Sequence, residues 1–328
     1  MVGVTETGGI GGLHRPVDVN DIVVVGACDD NYAPHLAVAF VSLLDNTSQP
    51  SLCRLFCLDG GLSESSRSFM MNAVSRFGGA LEFVGGDWSQ YDQLTTIKHI
   101  TRAAYYRVSI PELFDASVKK AIYLDCDVIV KGDIAELWST DTGLCPVGAV
   151  ENIAAHTYLK SGLSQGDYFN SGVMLLNLAL WREREIARQV REFKADHPEK
   201  ISTNDQCAIN GVLKGDWYHL PLKWNQQTGI YRDSEQVKRL PFDEVRAARY
   251  FPSVIHYIGD DKPWNEVCFH PFQGEYWRYA AMLGIKQPEN LEKACSRAAM
   301  KSFSLFKKWI RKLARQRDIR RAGGALYL

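Results

Sequence analysis

Two aspartates stand directly after a short apolar run near the middle of the chain. Residues 121–124 are strand formers, and Asp125 and Asp127 follow them with one residue between. Because residues i and i+2 of an extended chain point to the same side, the two carboxylates can converge on one point. Buried carboxylates are costly unless they are paired or hold a cation, and hard divalent cations such as Mg²⁺ and Mn²⁺ favour oxygen ligands. The spacing predicts a divalent-cation site completed by phosphate oxygens; the alternative is a strand end whose acids simply face water.

A second polar group follows the first predicted strand. The buried-strand pattern at 21–27 runs directly into a turn that contains Asp29, Asp30, Asn31 and Tyr32. No GxGxxG dinucleotide fingerprint occurs there. Carboxylates, an amide and a phenol can instead hydrogen-bond the edge of a pyrimidine and stack on its face. A plain polar turn with an Asx cap is the alternative.

These two turns need a sheet that brings them to one edge. Strand patterns occur at 21–27, 52–58, 80–84, 121–130, 148–150, 169–178 and, with the loop after it, 254–262. Helix patterns occur at 34–44, 63–77, in 95–114 through 102–108, at 181–194, 203–213 and from 276 onwards. The βαβαβ beginning predicts an α/β fold with a mostly parallel, doubly wound sheet flanked by helices. Such sheets bind ligands outside the carboxyl ends of their strands, where both polar turns fall.

The composition is that of a folded globular protein with unevenly distributed charge. The 328 residues are 46% hydrophobic and 23% charged, and the formal net charge is zero. Residues 293–321 hold eleven Lys and Arg against one acid, Asp318, so this segment carries +10 and the remainder −10. A basic, surface-seeking tail on an acidic globule is therefore expected.

Cysteine usage and hydropathy indicate a soluble or peripheral protein. The eight cysteines are scattered among mostly apolar neighbours and complete no zinc pattern, so we expect reduced thiols in a cytosolic protein. The N-terminus lacks the basic and apolar regions of a signal peptide, and its glycines suit a flexible leader. The longest uncharged runs, 31–44 and 168–181, are too short to span a bilayer.

The C-terminal segment has the pattern of an amphipathic helix. Apolar residues fall at 303, 306, 310 and 313, with Trp309 beside them. The remaining faces carry basic residues, namely Lys307, Lys308, Arg311, Lys312 and Arg315. Such a helix lies on anionic membranes. A helix that docks on the protein's own core, or a nucleic-acid patch, is the alternative.

Five separated stretches follow one another in the order found in a known family. They are ACDDNY at 27–32, YLDCDV at 123–128, FNSGVMLLNL at 169–178, NDQCAIN at 204–210 and HYIGDDKPW at 256–264. The set resembles glycosyltransferase family 8, and within it the bacterial lipooligosaccharide galactosyltransferases and the lipopolysaccharide core glucosyl- and galactosyltransferases. The resemblance divides the chain into a leader, 1–20, a catalytic domain, 21–270, and a C-terminal helical region with a basic tail, 271–328.

The resemblance implies a GT-A fold, a UDP-hexose donor, a Mn²⁺ or Mg²⁺ ion and transfer with retention of the anomeric configuration. By position, Asp125, Asp127 and His256 resemble the metal ligands. Two carboxylates and a neutral imidazole are a reasonable set for Mn²⁺. Gly259 and Lys262 resemble the loop that closes over the diphosphate.

Two further groups of residues correspond to the family by position. The family's uridine-binding turn corresponds by resemblance to Asn31 and Tyr32 of this chain, with Asp29 or Asp30 beside them. The positions that hold the donor sugar in the family correspond by resemblance to Arg107, Asn170, Asp205 and Gln206.

The sequence departs from the family at two places. Glu151-Asn152 stands where relatives have an aspartate, so a role for that aspartate does not transfer. The last loop carries Asp260-Asp261, whose charges weaken diphosphate binding unless they point outward.

The chemistry expected of these residues is stabilisation of a departing nucleotide. A divalent cation, helped by Lys262, stabilises the charge that develops on UDP. Retention usually indicates a carboxylate nucleophile, but the position that resembles the one beside the anomeric carbon is Gln206, whose amide is a poor nucleophile. Asp205 is expected to bind sugar hydroxyls. We therefore expect a front-side route in which a leaving phosphate oxygen deprotonates the acceptor hydroxyl, with Glu151 as nucleophile the alternative.

Purely structural roles remain open for several of these side chains. On this alternative, His256 is a core imidazole whose hydrogen bonds are satisfied within the protein. Lys262 is a solvated lysine, and Arg107 is an ion-pair partner at a helix end. Residues 170–172 are then a strand-entry turn, and Trp264 either core or part of the closing loop.

Taken together, the residues predict a metal-dependent retaining enzyme. It would move galactose or glucose from UDP to a saccharide or glycolipid acceptor, in lipopolysaccharide or lipooligosaccharide biosynthesis, on the cytoplasmic face of the inner membrane. One competing class is a nucleotide-sugar-binding protein without transfer activity. Another is a protein that binds nucleic acid through the basic tail. The negative charge of the rest of the chain disfavours this class.

Overall fold

A seven-stranded sheet forms the centre of the molecule. The structure, a computed structural model, describes residues 16–86, 88, 103–153, 158, 161–201, 204–232, 234–288, 295–296, 299 and 303–323. The large sheet contains β1 (Ile22–Cys28), β2 (Cys53–Asp59), β3 (Ala80–Val84), β4 (Lys120–Leu124), β6 (Val147–Glu151), β7 (Phe169–Asn177) and β8 (Tyr218–His219). Their order across the sheet is β3-β2-β1-β4-β7-β6-β8. Most of the predicted leader and the predicted helical residues 95–102 lie outside the described residues.

Helices cover both faces of this sheet. They are α1 (Ala33–Asn46), α2 (Glu64–Ser75), α3 (Ala103–Tyr106), α4 (Ile110–Leu113), α5 (Ile134–Trp138), α6 (Leu178–Glu183), α7 (Ile186–Asp196), α8 (Asn204–Leu213), α9 (Glu235–Lys238), α10 (Phe242–Tyr250), α11 (Gln273–Met282) and α12 (Phe303–Arg321). Short 3-10 turns at Arg107–Ser109, Leu222–Asn225 and Thr228–Tyr231 join several of them.

The parallel half of the sheet follows from its sequence. Every residue of β1 is buried, as expected for a strand with helices on both sides. It pairs in parallel with β2 and with β4, and β2 pairs in parallel with β3. The predicted cap of α2 is confirmed, because the Ser63 side chain accepts a hydrogen bond from the Ser66 N–H at 3.3 Å. The prediction of an α/β fold with a mostly parallel, helix-flanked sheet is thus confirmed.

The predicted strand at 121–130 is wrong in one respect, because it is two strands in two sheets. β4 ends at Leu124, and Val128–Val130 forms β5 in a separate three-stranded sheet of order β5-β10-β9. In that sheet β5 pairs with β10 (Val254–His256), which is antiparallel to it, and β10 pairs in parallel with β9 (Gln226–Gln227). The chain turns at 125–127. An apolar run alone does not reveal such a switch of sheets.

The helix predicted at 181–194 is likewise divided. α6 ends at Glu183 and α7 starts at Ile186, because Glu185 between them has a left-handed backbone, φ 52°. Left-handed residues do not propagate a right-handed helix.

Apolar cores lie on both faces of the large sheet. Alternate residues of β1 supply the two cores, with Val24 packing towards α1 and Val25 towards Trp181 and α8. The C-terminal helix α12 docks on the first core through Ile319. Docking is the alternative that the sequence left open for this helix. The side chains of Phe303 and Phe306, on which the apolar stripe was based, lie outside what is described.

All eight cysteines are free, and six of them are buried. Within the described residues, no helix combines the length and apolarity that crossing a bilayer requires.

Candidate functional site

Asp125 and Asp127 flank the point where the chain leaves one sheet for the other. The Asp125 N–H donates to the Gly172 carbonyl of β7 at 2.8 Å, which continues the β4–β7 pairing by one residue. The Tyr257 N–H donates to the Asp127 carbonyl at 2.9 Å. The two aspartates are therefore brought together by a turn anchored to both sheets, and not by the alternation of an extended strand.

His256 stands opposite this turn. β10 pairs antiparallel to β5 with His256 across from Val128, the residue after Asp127. Its Nε2 lies 3.2 Å from Asp127 Oδ1 and 3.8 Å from Asp125 Oδ2. One ligand atom of each of these three residues lies within 4.8 Å of the others. The sequence prediction that the three residues converge is confirmed; the ion itself remains a prediction.

Asp125 and Asp127 each direct one carboxylate oxygen towards this cluster, and the other oxygen of each contacts neighbouring side chains. Asp125 Oδ1 receives the Tyr123 hydroxyl at 3.0 Å and an Arg107 nitrogen at 2.8 Å. Asp127 Oδ2 pairs with Lys262. The inward atoms are two carboxylate oxygens and one imidazole nitrogen, a donor set that fits Mn²⁺ or Mg²⁺.

A chain of amides fixes the tautomer of His256. The Gly172 N–H donates to Asn170 Oδ1 at 3.1 Å, so that atom is an acceptor, and the Asn225 amide nitrogen donates to it at 2.9 Å. Asn225 Oδ1 then faces His256 Nδ1 at 2.9 Å and must accept from it. The proton therefore sits on Nδ1, and Nε2 keeps its lone pair for a metal.

Gly172 makes room for the cluster. A Cβ atom at this position would lie 2.2 Å from His256 Cε1 and 2.6 Å from Asp125 Oδ2. Residues 170–172 are thus more than a strand-entry turn, because a glycine here is a steric condition for the ligand set.

Arg107 joins the cluster to helix α8. It is buried, with Nη2 at 2.8 Å from Asp125 Oδ1 and Nε at 3.1 Å from Asp205 Oδ2. Burial pushes the pKa of Arg107 down, but the two carboxylates outweigh burial and hold that pKa above its usual range. The structural alternative predicted from the sequence, in which Arg107 is an ion-pair partner, is therefore present. Both of its acidic partners, Asp125 and Asp205, belong to the candidate site.

Asp205 and Gln206 lie in the first turn of α8. Burial raises the pKa of Asp205 to about 6, against the opposing effect of Arg107. Gln206 Oε1 accepts from the Ser171 N–H at 3.1 Å and from the Asn170 amide at 3.2 Å. The side chains of these predicted sugar-binding residues, with Asn170 and Arg107, form one connected network. Their contacts with a sugar remain a prediction.

The polar turn after β1 has its own internal bonds. Asp29 Oδ1 accepts from the N–H groups of Asn31, at 3.0 Å, and Tyr32, at 3.2 Å, which is the Asx cap offered as the alternative. Asp30 Oδ1 accepts from the Ser63 N–H at 2.8 Å. Both carboxylates therefore shape the turn, whereas the Asn31 side chain is exposed and Tyr32 is half-buried.

The last loop reaches back to the cluster through Lys262. Gly259 has φ +77°, which a glycine adopts without strain. Lys262 Nζ pairs with Asp127 and donates to the Tyr257 carbonyl at 2.9 Å. Its pKa is raised, because Asp127 more than offsets the lowering effect of burial. Lys262 is thus a partner of the site and not a solvated lysine.

Aromatic packing holds the same loop against α1. Trp264 stacks on His35 with ring centroids 3.6 Å apart, and its ring lies edge-on to Tyr32 at 6.1 Å. Trp264 is therefore both a loop residue and a partner of the apolar core. Asp261 is turned inward, where its carboxylate accepts the Phe269 N–H at 2.9 Å. That carboxylate already has a partner within the loop, and Asp260 is exposed.

Glu151, the alternative nucleophile, is buried and pairs with Arg239. A carboxylate neutralised by a guanidinium is a weaker nucleophile, which disfavours this alternative.

Sequence reasoning missed Asn225, Tyr123 and Tyr168. Asn225 is fully buried and orients His256, Tyr123 binds Asp125, and the Tyr168 hydroxyl accepts from the Gln206 amide at 3.3 Å. The one available signal was the run of three amide side chains at 225–227, which follows Trp224.

Comparison with known proteins agrees with this geometry. The model of glycosyl transferase family 8 matches residues 23–268. General stress protein A of Bacillus subtilis (strain 168) is 38% identical over 265 residues, which are 78% of this chain and 92% of that protein. Lipopolysaccharide glucosyltransferase WaaO of Escherichia coli (strain K12) is 30% identical over 184 residues, 53% of this chain and 52% of that one.

Solved structures show the same likeness. The galactosyltransferase LgtC, in complex with donor and acceptor sugar analogues, matches with a TM-score of 0.69 and 27% identity, over 83% of this chain and all of that one. An active-site glutamine-to-glutamate mutant of LgtC matches with a TM-score of 0.70 at 26% identity. The predicted GT-A fold is confirmed by this likeness. A family match over most of the chain, on a fold whose site unites the five stretches, leads to one conclusion: this chain belongs to glycosyltransferase family 8.

Proposed function

We propose that this chain is a metal-dependent, retaining glycosyltransferase that moves galactose or glucose from a UDP-sugar to a saccharide acceptor. The observation that carries the proposal is the convergence of Asp125, Asp127 and His256 with Lys262 beside them. A cation held there supplies positive charge to the diphosphate as it leaves. The likeness to WaaO and to LgtC supports a hexose as the transferred group.

The protein's own residues then have distinct tasks. Lys262, released from Asp127 when the donor binds, would neutralise charge on the leaving phosphate. Tyr32 and Asn31, at the exposed part of their turn, would hold the uracil ring. Asp205 and Asn170 would bind sugar hydroxyls at the buried end of the network.

A front-side displacement explains retention of the anomeric configuration best. The Gln206 amide is held by two donors through its oxygen, so this side chain can orient the sugar but is a poor nucleophile. The proton of the acceptor hydroxyl would pass to the leaving phosphate oxygen while the new glycosidic bond forms on the same face.

We further propose that the acceptor is a lipopolysaccharide-like or lipooligosaccharide-like glycolipid and that the protein is cytoplasmic and peripheral on the inner face of the cell membrane. The support is α12, whose outer face presents Ile310 and Leu313, 44% and 36% exposed, among basic side chains. A role in binding nucleic acid is not proposed, because outside this helix the chain is acidic.

The test is UDP release from UDP-galactose and UDP-glucose, with and without Mn²⁺, for the wild type, for Asp127→Asn and for Asp216→Asn as control. Asp216 is an exposed acid paired with exposed Arg184. We expect slow, metal-dependent hydrolysis of one donor, reduced about 10²-fold or more in Asp127→Asn and unchanged in the control.

The other outcomes are equally informative. Metal-dependent UDP binding without turnover of either donor would contradict hexose transfer from these donors and favour another sugar or the binding-only class. Absence of both turnover and UDP binding would overturn the proposal.

A further inference from the structure

A cleft separate from the candidate metal site lies between α12 and the segment of α9 and α10. Its volume is about 330 Å³, at the lower end of the range for small-molecule sites. Four basic side chains line it, Arg232, Lys238, Arg249 and Arg315, together with one acidic side chain, Asp318. None of the residues assigned to the metal site, the sugar network or the closing loop lines this cleft.

Two of its guanidinium groups are fixed in place by neutral partners. Arg249 Nε donates to the Ile230 carbonyl at 2.9 Å. Arg315 Nη2 donates to the Tyr231 carbonyl at 3.2 Å, and its guanidinium lies over the Tyr231 ring, 4.7 Å from the centroid. Carbonyl oxygens and an aromatic face position these groups without cancelling their charge.

Among the described residues that line the cleft, basic side chains outnumber acidic ones. Burial lowers the pKa of Arg315, and the neighbouring Arg249 and Arg232 act in the same direction. Asp318, the acid in the lining, lies 4.0 Å from Arg317 on the outer side of α12. Lys238 pairs with an exposed glutamate, Glu235, at 3.0 Å. The three arginines therefore face a space that favours an anion.

The chemistry of the lining narrows the choice of anion. Planar guanidinium groups bind phosphate oxygens in bidentate fashion, and several of them around one cleft match the three or more oxygens of a phosphate better than the two of a carboxylate. Tyr231, Tyr250 and Val237 complete the lining with aromatic and apolar surface. A phosphate alone leaves much of this volume unfilled, so an organic group fits beside it.

We propose that this cleft is a second binding site, which takes a phosphate ester through Arg232, Arg249 and Arg315 and its organic part against the two tyrosines. A free phosphorylated polyol or sugar offers a phosphate with three free oxygens, and a phospholipid headgroup offers the same phosphate with one of these oxygens esterified. The proposal stands on these residues alone and does not require the transferase activity.

The test is calorimetric titration of the full chain with glycerol 3-phosphate. Arg232→Gln is the main variant, because Arg232 is exposed and its loss does not endanger folding. Arg315→Gln is the second. Arg246→Gln on α10 and Arg320→Gln on α12 remove the same charge from exposed positions outside the cleft. Any binding at the donor site is common to all variants and cancels in the comparison.

We expect each cleft variant to weaken binding about tenfold or more and each control to leave it unchanged. Asp318→Asn should tighten binding, by up to about fivefold, because it removes the acid from the lining. Equal weakening by cleft and control variants would reduce the effect to overall charge and overturn the proposal. So would the absence of binding to glycerol 3-phosphate together with vesicle binding that Arg232→Gln does not alter.

A second arm distinguishes the two sources of phosphate. Sedimentation with phosphatidylcholine vesicles, with and without phosphatidylglycerol, is measured for Arg232→Gln and Arg320→Gln. A larger loss in Arg232→Gln supports a lipid headgroup in the cleft. Equal losses, with the glycerol 3-phosphate difference intact, support a soluble phosphate ester.

Discussion

At the scale of single residues, Gly172 leaves no room for a side chain beside His256 and Asp125. Gly172→Ala forces the His256 ring or Asp125 to move, since the new Cβ would lie 2.2 Å from the ring. We expect Mn²⁺ affinity to fall about ten- to a hundredfold, with a loss of only about 1–3 kcal/mol in the free energy of unfolding. Electron paramagnetic resonance of bound Mn²⁺ and urea unfolding measure the two effects.

Gly85→Ala is the control, because a Cβ at Gly85 would meet nothing within 4 Å. Undiminished Mn²⁺ affinity in Gly172→Ala would show that the metal does not bind at His256.

Lys262 pairs with Asp127, one of the three proposed metal ligands. Burial acts to raise the pKa of Asp127, but the Lys262 ammonium opposes it, and the pKa is held below its usual range. Lys262→Met should therefore raise Mn²⁺ affinity about tenfold without nucleotide, because the ion no longer displaces a cation. The same variant should weaken UDP binding, because it removes a phosphate contact.

Lys223→Met, which removes an exposed lysine paired with Glu136 at 3.4 Å, is the matched control. Equal losses of Mn²⁺ and UDP affinity in Lys262→Met would argue that the lysine only supports the fold.

At the scale of elements, the first turn of α8 carries a carboxyl group whose pKa is raised from 3.8 to about 6. A raised acid pKa means that the folded state binds more protons than the unfolded state between these values, so stability falls as pH rises through this window. The contribution lost is about 3 kcal/mol, at about 1.4 kcal/mol per pKa unit.

Asp205→Asn removes this titration. The difference in unfolding free energy, variant minus wild type, should therefore increase by about 3 kcal/mol between pH values just below 4 and just above 6. Urea unfolding at the two pH values measures it. A difference that stays constant with pH would show that Asp205 is not perturbed by burial.

Helix α12 supports the loop that contains Lys262 and Pro263 through a buried lysine. Lys312 Nζ donates to the Cys268 carbonyl at 3.0 Å and to Gln273 Oε1 at 2.9 Å, and the Gln273 amide donates to the Pro263 carbonyl at 3.1 Å. Lys312→Met leaves buried acceptors without this donor and should cost about 1–3 kcal/mol of unfolding free energy.

The control is Lys308→Met on the exposed face of the same helix, expected to change stability by less than about 0.5 kcal/mol. Denaturant unfolding compares the two. Similar small effects would mean that α12 is not anchored to the globule through Lys312.

At the scale of the whole molecule, charge is divided between an acidic globule and a basic tail. One side of α12 is docked, which leaves Lys308 and Arg311 on the exposed side. Replacing both by alanine should weaken binding to phosphatidylglycerol vesicles about 30-fold, because each basic residue near the surface contributes about 1 kcal/mol. Co-sedimentation measures the binding.

Arg76→Ala with Arg188→Ala removes the same charge from two exposed positions, one in the turn after α2 and one on α7. A comparable loss of vesicle binding in that pair would assign the attraction to net charge and not to α12.

The sequence by itself indicated the family of this protein and the class of its fold. Alternating strand and helix patterns predicted the parallel half of the sheet, because buried strands such as β1 are read from composition alone. The five stretches marked Asp125, Asp127, His256 and Lys262, whose convergence the structure confirms. These are local signals, carried by residue type and short spacing.

Only the tertiary structure decided how these residues are held. The switch of sheets between β4 and β5, the tautomer of His256 set by Asn225, and the steric demand on Gly172 all depend on partners distant in the chain. The docking of α12 and the arginine-lined cleft beside it have the same origin. Contacts between remote segments leave no periodic pattern in either segment, so no reading of local sequence contains them.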